Sequence, residues 1–130
     1  MIMFLTIQDN DKRPVYQQIV DGVKAMMARG DLHEGMTLPS VRQVAGDLGI
    51  NLNTVAVAYR QLQDEGFVTV RHGAGAVISS RTPHPLDEAE LYQSLRTALT
   101  QLILNGLTNL EIEEIVHEEL TLLQQKGGAQ

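Results

Sequence analysis

The chain has 130 residues, 10 Lys and Arg against 16 Asp and Glu, 43% apolar residues and no cysteine. That size suits one domain, or a compact domain with a small appendage, and the apolar share excludes a disordered chain. The missing cysteines exclude disulfides, thiolate metal sites and a cysteine nucleophile.

Acid is concentrated late. Residues 1–80 carry 7 Lys and Arg against 8 Asp and Glu, while residues 81–130 carry 3 against 8. The first part can therefore present a local basic face despite the formal charge of −6. The opening MIMFLTIQDNDKR lacks a basic start and turns polar after a few residues, unlike a secretory signal. No apolar run approaches the ~20 residues of a membrane span. A cytoplasmic protein with no membrane partner is expected.

The first helix is predicted over PVYQQIVDGVKAMMARG. Pro14 suits the first helical position, Val15, Ile19, Val23, Met26 and Met27 share one face, and Gly30 supplies a stop. The following GDLHEGMTLP reads as a turn. A second helix begins at Ser40, which with Gln43 forms a capping box. Val41, Val44, Ala45 and Leu48 are its apolar stripe, Gly49 ends it, and Ile50 is a buried turn residue. Asn51 can cap a third helix whose inward positions are Val55, Ala58, Tyr59 and Leu62, with Gly66 as its end.

Two short helices back to back across a glycine turn, over residues 38–57, have the layout of a helix-turn-helix. The second helix of that motif enters the DNA major groove. Yet no Lys or Arg lies between Gly49 and Tyr59. The reading helix is uncharged there, and affinity for DNA must come from elsewhere.

Phe67 to Val70 and Ala76 to Ser79 are β-prone runs around a Gly73-Ala74-Gly75 turn, which predicts a short hairpin. Three helices and a hairpin make a winged helix, with the hairpin as the wing. Residues 81–86 include two prolines and read as a linker. Two amphipathic helices follow. Asn105-Gly106 ends the first, and Thr108 with Glu111 caps the second, with Leu107 and Ile112 placed for a hydrophobic staple.

The expected fold is mainly α with a small β-hairpin: a winged helix-turn-helix over 1–80, a linker over 81–86 and a two-helix segment over 87–126. Two helices this short need further neighbours for their wide stripes. They pack on the winged helix as an extension of its core, on a second copy, or on both. Symmetric dimers are the commonest oligomers, so a homodimer through Leu91, Leu95, Leu99, Leu102, Ile112, Ile115, Val116 and Leu120 is expected.

Several motifs occur in order between residues 14 and 79: PVYQQI, the turn GDLHEGMTLPSVR, NLNTV, AYRQLQDEG and the wing GAG. In this the chain resembles the winged helix-turn-helix of GntR-family bacterial transcription regulators. The short C-terminal helix pair is similar to that of the YtrA-like subfamily. The resemblance implies DNA binding, dimerisation through the last two helices, and repression of genes that often encode transporters beside the regulator.

By the same resemblance Arg42 is a DNA contact, and an Arg there can reach a phosphate or a guanine edge. Asn51, Asn53 and Thr54 lie at the start of the third helix. Asn can pair with adenine, Thr can bond a phosphate or touch a thymine methyl, and the helix N-terminus favours phosphate. Asn51 can cap the helix, contact DNA, or do both. Leu52 stands where many family members carry Pro or Arg, and Ala56 and Val57 stand where one Arg is usual. These apolar residues can meet a thymine methyl instead.

Tyr59 either bonds a phosphate or packs in the core, and its alignment with Val55 and Leu62 favours the core. Arg60 is a candidate backbone clamp. On the wing, Arg71, His72 and Gly73 can enter a minor groove, and the resemblance points to His72.

No catalytic site is expected. His117-Glu118-Glu119 has no second histidine at metal-binding spacing, His33 and His84 stand alone in turns, and GAGA lacks the context of a nucleotide loop. No cofactor or metal is implied, and no effector ligand can be named. The expected function is a sequence-specific, homodimeric repressor that binds double-stranded DNA at an inverted repeat. The alternative is a winged helix used as a protein-interaction module.

Overall fold

The structure, a computed structural model, describes residues 5, 7, 10, 12–71, 73, 75–79 and 87–124. The expected linker 81–86, the last two residues of the expected segment 87–126, and His72 lie outside the described residues. In chain order the elements are α1 (Val15–Arg29), α2 (Val41–Leu48), α3 (Leu52–Asp64), β1 (Val68–Arg71), β2 (Gly75–Ile78), α4 (Glu88–Leu104) and α5 (Asn109–Gln124).

The helix ends follow from local chemistry. Pro14 sits one position earlier than expected, as the N-cap of α1, with ψ 149°; its carbonyl accepts from the Gln17 and Gln18 amides at 3.0 and 3.2 Å. Gly30 closes α1 at φ 88°, a left-handed value that glycine adopts without strain. Ser40 Oγ accepts from the Gln43 amide at 3.0 Å to start α2. Asn51 Oδ1 accepts from the Asn53 amide at 2.7 Å to start α3. A full capping box starts α5: Thr108 Oγ1 accepts from the Glu111 amide, and Glu111 Oε1 from the Thr108 amide.

The core is built by α1 and α3 packed face to face, with α2 and β1 against α3. Val55, Ala58, Tyr59 and Leu62, the inward positions expected for the third helix, are all buried. From α1 come Ile19, Val20, Val23 and Met26; the sheet adds Val68 and Ile78. Ile50 is half-buried and packs against this core rather than within it. Gly22 has no side chain, so Leu5 lies directly over α1, where an added Cβ would come within 2.5 Å of its Cδ2.

The hairpin is antiparallel, with Val68 opposite Ile78 and Arg71 opposite Gly75. Part of the segment expected to be a plain turn is also strand-like. The Leu38 amide donates to the Ala76 carbonyl at 2.8 Å, and the Ile78 amide to the Met36 carbonyl at 2.8 Å. Thr37 thus bridges Val77 on the outer edge of β2.

The helix pair joins the rest through α5, which packs on α1, while α4 touches α5 lightly. No described residue of either helix joins the main core. Ile112, expected at a dimer face, is instead buried within the protomer. None of the 17 residues of α4 is buried.

Lys24 of α1 holds the far end of α3. Its Nζ lies 2.6 Å from Glu65 Oε1 and 5.0 Å from the centre of the Phe67 ring. Burial alone would raise the Glu65 carboxyl, but hydrogen bonds from Lys24 and Gln61 and the Lys24 charge outweigh it and hold the group below its ordinary value.

Two outcomes follow for stability. Leu62→Ala, at a fully buried site, should cost about 2–5 kcal/mol in urea unfolding, and an unchanged midpoint would contradict this packing. Glu65 has a depressed folded pKa, so its contribution is complete above the unfolded pKa and is lost as pH falls through the folded one. The pair is over a third exposed, so Glu65→Gln should cost less than ~1 kcal/mol at pH 7. Wild-type and variant urea midpoints should converge on acidification.

Candidate nucleic-acid interface

The start of α2, the outer side of α3 and the hairpin enclose one open groove of about 740 Å³. Its walls include Pro39, Ser40, Val41 and Gln43 from the α2 end, Ala56, Arg60 and Gln63 from α3, and Val70, Gly75 and Ala76 from the wing. The N-termini of α2 and α3, capped by Ser40 and Asn51 and carrying backbone amides suited to phosphate, belong to the helices that form this side.

One hydrogen bond fixes the relation between the two helices. The Tyr59 hydroxyl donates to the Pro39 carbonyl at 2.6 Å. Burial pushes the Tyr59 phenol well up, so it stays protonated and serves as a donor. Of the two roles open to Tyr59, the structure shows the core one: the ring is buried and the hydroxyl is engaged by backbone.

The expected contact residues gather around the groove. Arg60 lines it, Arg42 follows the lining residue Val41, and Arg71 is the cross-strand partner of the lining residue Gly75. All three are exposed. Among the described residues none of the three is in an ion pair, whereas Arg13 pairs with Asp21, Lys24 with Glu65 and Arg29 with Asp31. The paired cations are on or beside α1; of the unpaired ones among the described residues, Arg42, Arg60 and Arg71 border the groove, while Lys12 precedes α1 and Arg96 is on α4.

Asn51 is exposed, with its side-chain oxygen used as the α3 cap. Asn53 is exposed and Thr54 half-buried on the same first turn. Leu52 and Val57 are 42% and 40% exposed. Gly73 is exposed at φ 82° at the hairpin tip. His72 lies outside the described residues.

Sequence reasoning did not single out Gln43, Gln63 or Val70 as groove residues. Gln63 had a signal, since it continues the Ala56–Arg60 row along α3. Val70 had none, because its 58% exposure depends on how the hairpin is set against the helices. Among the described residues, no helix is long and apolar enough to cross a membrane, and no group of His, Asp and Glu could hold a metal ion.

Comparison with known proteins agrees with this geometry. Residues 15–78 match the model of the bacterial regulatory proteins of the gntR family. The chain is 32% identical over 127 residues to the HTH-type transcriptional repressor YtrA of Bacillus subtilis, covering 95% of this chain and 96% of that one. YtrA from Sulfolobus acidocaldarius, a GntR-family transcription factor, is similar in structure with TM-score 0.62 and 35% identity, over 74% of this chain and 97% of that one. The crystal structure of a transcriptional antiterminator from Listeria monocytogenes gives TM-score 0.83 and 28% identity over 92% of both chains. These relatives are regulators, not enzymes. The chain therefore belongs to the GntR family, as a YtrA-like winged-helix DNA-binding transcription regulator.

Proposed function

We propose that this regulator is a repressor that acts as a homodimer on an inverted repeat, with residues 1–80 as the DNA-binding domain and 87–126 as the dimerisation segment. The observation that carries the DNA-binding face is the sorting of cations: Arg42, Arg60 and Arg71 border one groove without acid partners. Arg42 and Arg60 grip the backbone, Asn51, Leu52, Asn53 and Thr54 meet base edges, and Arg71, His72 and Gly73 reach the neighbouring groove. The repressor named among the relatives supports the regulatory sign. Its proposed targets are transporter genes encoded beside it, as the family resemblance implies.

Support for the dimer comes from α4. A helix of 17 residues with none buried leaves Leu91 and Leu95 about half exposed, with Leu99 and Leu102 only half-buried behind them. On α5, Ile115 is half-buried and Val116 and Leu120 remain exposed. A second copy would cover this row, and two-fold symmetry would set two winged helices on two half-sites.

Each protomer offers three free arginines at the face, so binding should weaken with salt at a log–log slope of roughly −5 to −6 for the dimer. Titration on a fragment retained from the organism's own genome measures it, and a slope near −10 would contradict so small a set of contacts. Arg42→Ala and Asn53→Ala should each lower affinity about tenfold or more, with folding unchanged by circular dichroism. Leu95→Glu should give a monomer in sedimentation and lose binding to the paired half-sites; a dimer that survives it would place the interface elsewhere.

A further inference from the structure

Over residues 52–60 the outer side of α3 consists of Leu52, Asn53, Ala56, Val57 and Arg60, an arc of about 140° at 3.6 residues per turn, and Gln63 and Asp64 continue it at the helix end. Three of the five are hydrocarbon. Leu52 and Val57 are not displaced core residues, because Val55, Ala58, Tyr59 and Leu62 fill the inward side completely. Ala56 is half-buried and lines the groove beside Arg60. Exposed leucine and valine therefore flank the groove-lining Ala56 and Arg60 on the same outer side of α3, the side that faces the groove bordered by Arg42, Arg60 and Arg71.

A hydrocarbon patch placed against the DNA major groove gains from only one group there, the C5-methyl of thymine. Elsewhere in that groove, base edges are polar donors and acceptors, and apolar atoms laid on them would desolvate those groups without replacing their hydrogen bonds. The phosphates are left to the rim arginines. Asn53, a near neighbour of Ala56 and Val57 on this face, can meet the adenine of a T·A pair through N6 and N7.

We propose that α3 recognises its operator through thymine methyls, with Leu52, Ala56 and Val57 forming the contact surface and Asn53 reading an adjacent adenine. This rests on the proposed DNA-binding face. It assigns specificity to hydrophobic contact and makes each half-site depend on thymine itself rather than on an A·T pair as such.

The test uses the full-length chain and a fragment it retains from its own genome. Each thymine of the half-site is replaced in turn by deoxyuridine, which removes the methyl and keeps every Watson–Crick hydrogen bond. At one or two positions affinity should fall about fourfold, the effect of one buried methyl group. That penalty should shrink toward unity in Leu52→Ala or in Val57→Ser, both at exposed positions where folding is preserved.

Uniform indifference to deoxyuridine in a fragment that binds tightly would overturn the methyl reading and leave the DNA-binding face standing. A penalty of the same size in wild type and in both variants would also overturn it, assigning the effect to DNA shape. Retention of no fragment even at low salt would overturn the proposed face and this inference together.

Discussion

The stretch 36–39 is held on two sides at once, and the proposed DNA-binding surface depends on that. On one side, Met36 and Leu38 bond the outer edge of β2. On the other, the carbonyl of Pro39 accepts the buried hydroxyl of Tyr59 from α3. A buried hydroxyl needs a partner, and leaving it unsatisfied would cost ~1–3 kcal/mol. Ser40, the next residue, caps α2. Satisfying one phenol therefore fixes where α2 begins, and the strand-like pairing of the same segment fixes the wing relative to both helices. The groove, with Arg42, Arg60 and Arg71 at its borders, is the result of those two constraints.

The same architecture reconciles an acidic chain with a polyanionic ligand. Net charge governs solubility and long-range repulsion, but contact depends on which charges remain available at one face. Here three acids of the winged helix neutralise cations around α1: Asp21 pairs with Arg13, Asp31 with Arg29 and Glu65 with Lys24. The glutamate-rich α5 packs on α1, and neither helix contributes a residue to the groove. The acids of α5 and the ion-paired acids around α1 thus lie off the proposed DNA-binding groove.

Much of this was legible in the sequence because it is local. The inward residues of α3 follow from helical spacing, and Ser40, Asn51 and Thr108 announce helix starts within three residues of the amides they accept. What escaped was non-local or a matter of register. Pro14 differs by one position because a cap and a first helical residue place similar demands on φ. The strand-like character of Met36 to Leu38 is set by a partner about forty residues away. The pairing of Lys24 with Glu65 joins two helices whose relative placement no spacing encodes. Burial of Ile112 within the protomer, where a dimer contact was expected, depends likewise on how α4 and α5 meet. At the groove, Arg60 and the α3 row were legible as one helix face, whereas the wing residue Val70 was not, since its position comes from the hairpin's attachment.

A sparse electrostatic grip also gives the last two helices their physical role. Three free arginines at the proposed face of one winged helix would release few counterions, so a single protomer would hold DNA weakly at physiological salt. In the proposed dimer the second half-site is bound at the high effective concentration imposed by the first, and the two modest affinities multiply without any new contact. The row of Leu91 and Leu95 on α4 then has a function that hydrophobic burial alone would not explain. In that dimer it would compensate for the charge missing between Gly49 and Tyr59, and would free α3 to spend its outer side on the proposed apolar recognition rather than on charge.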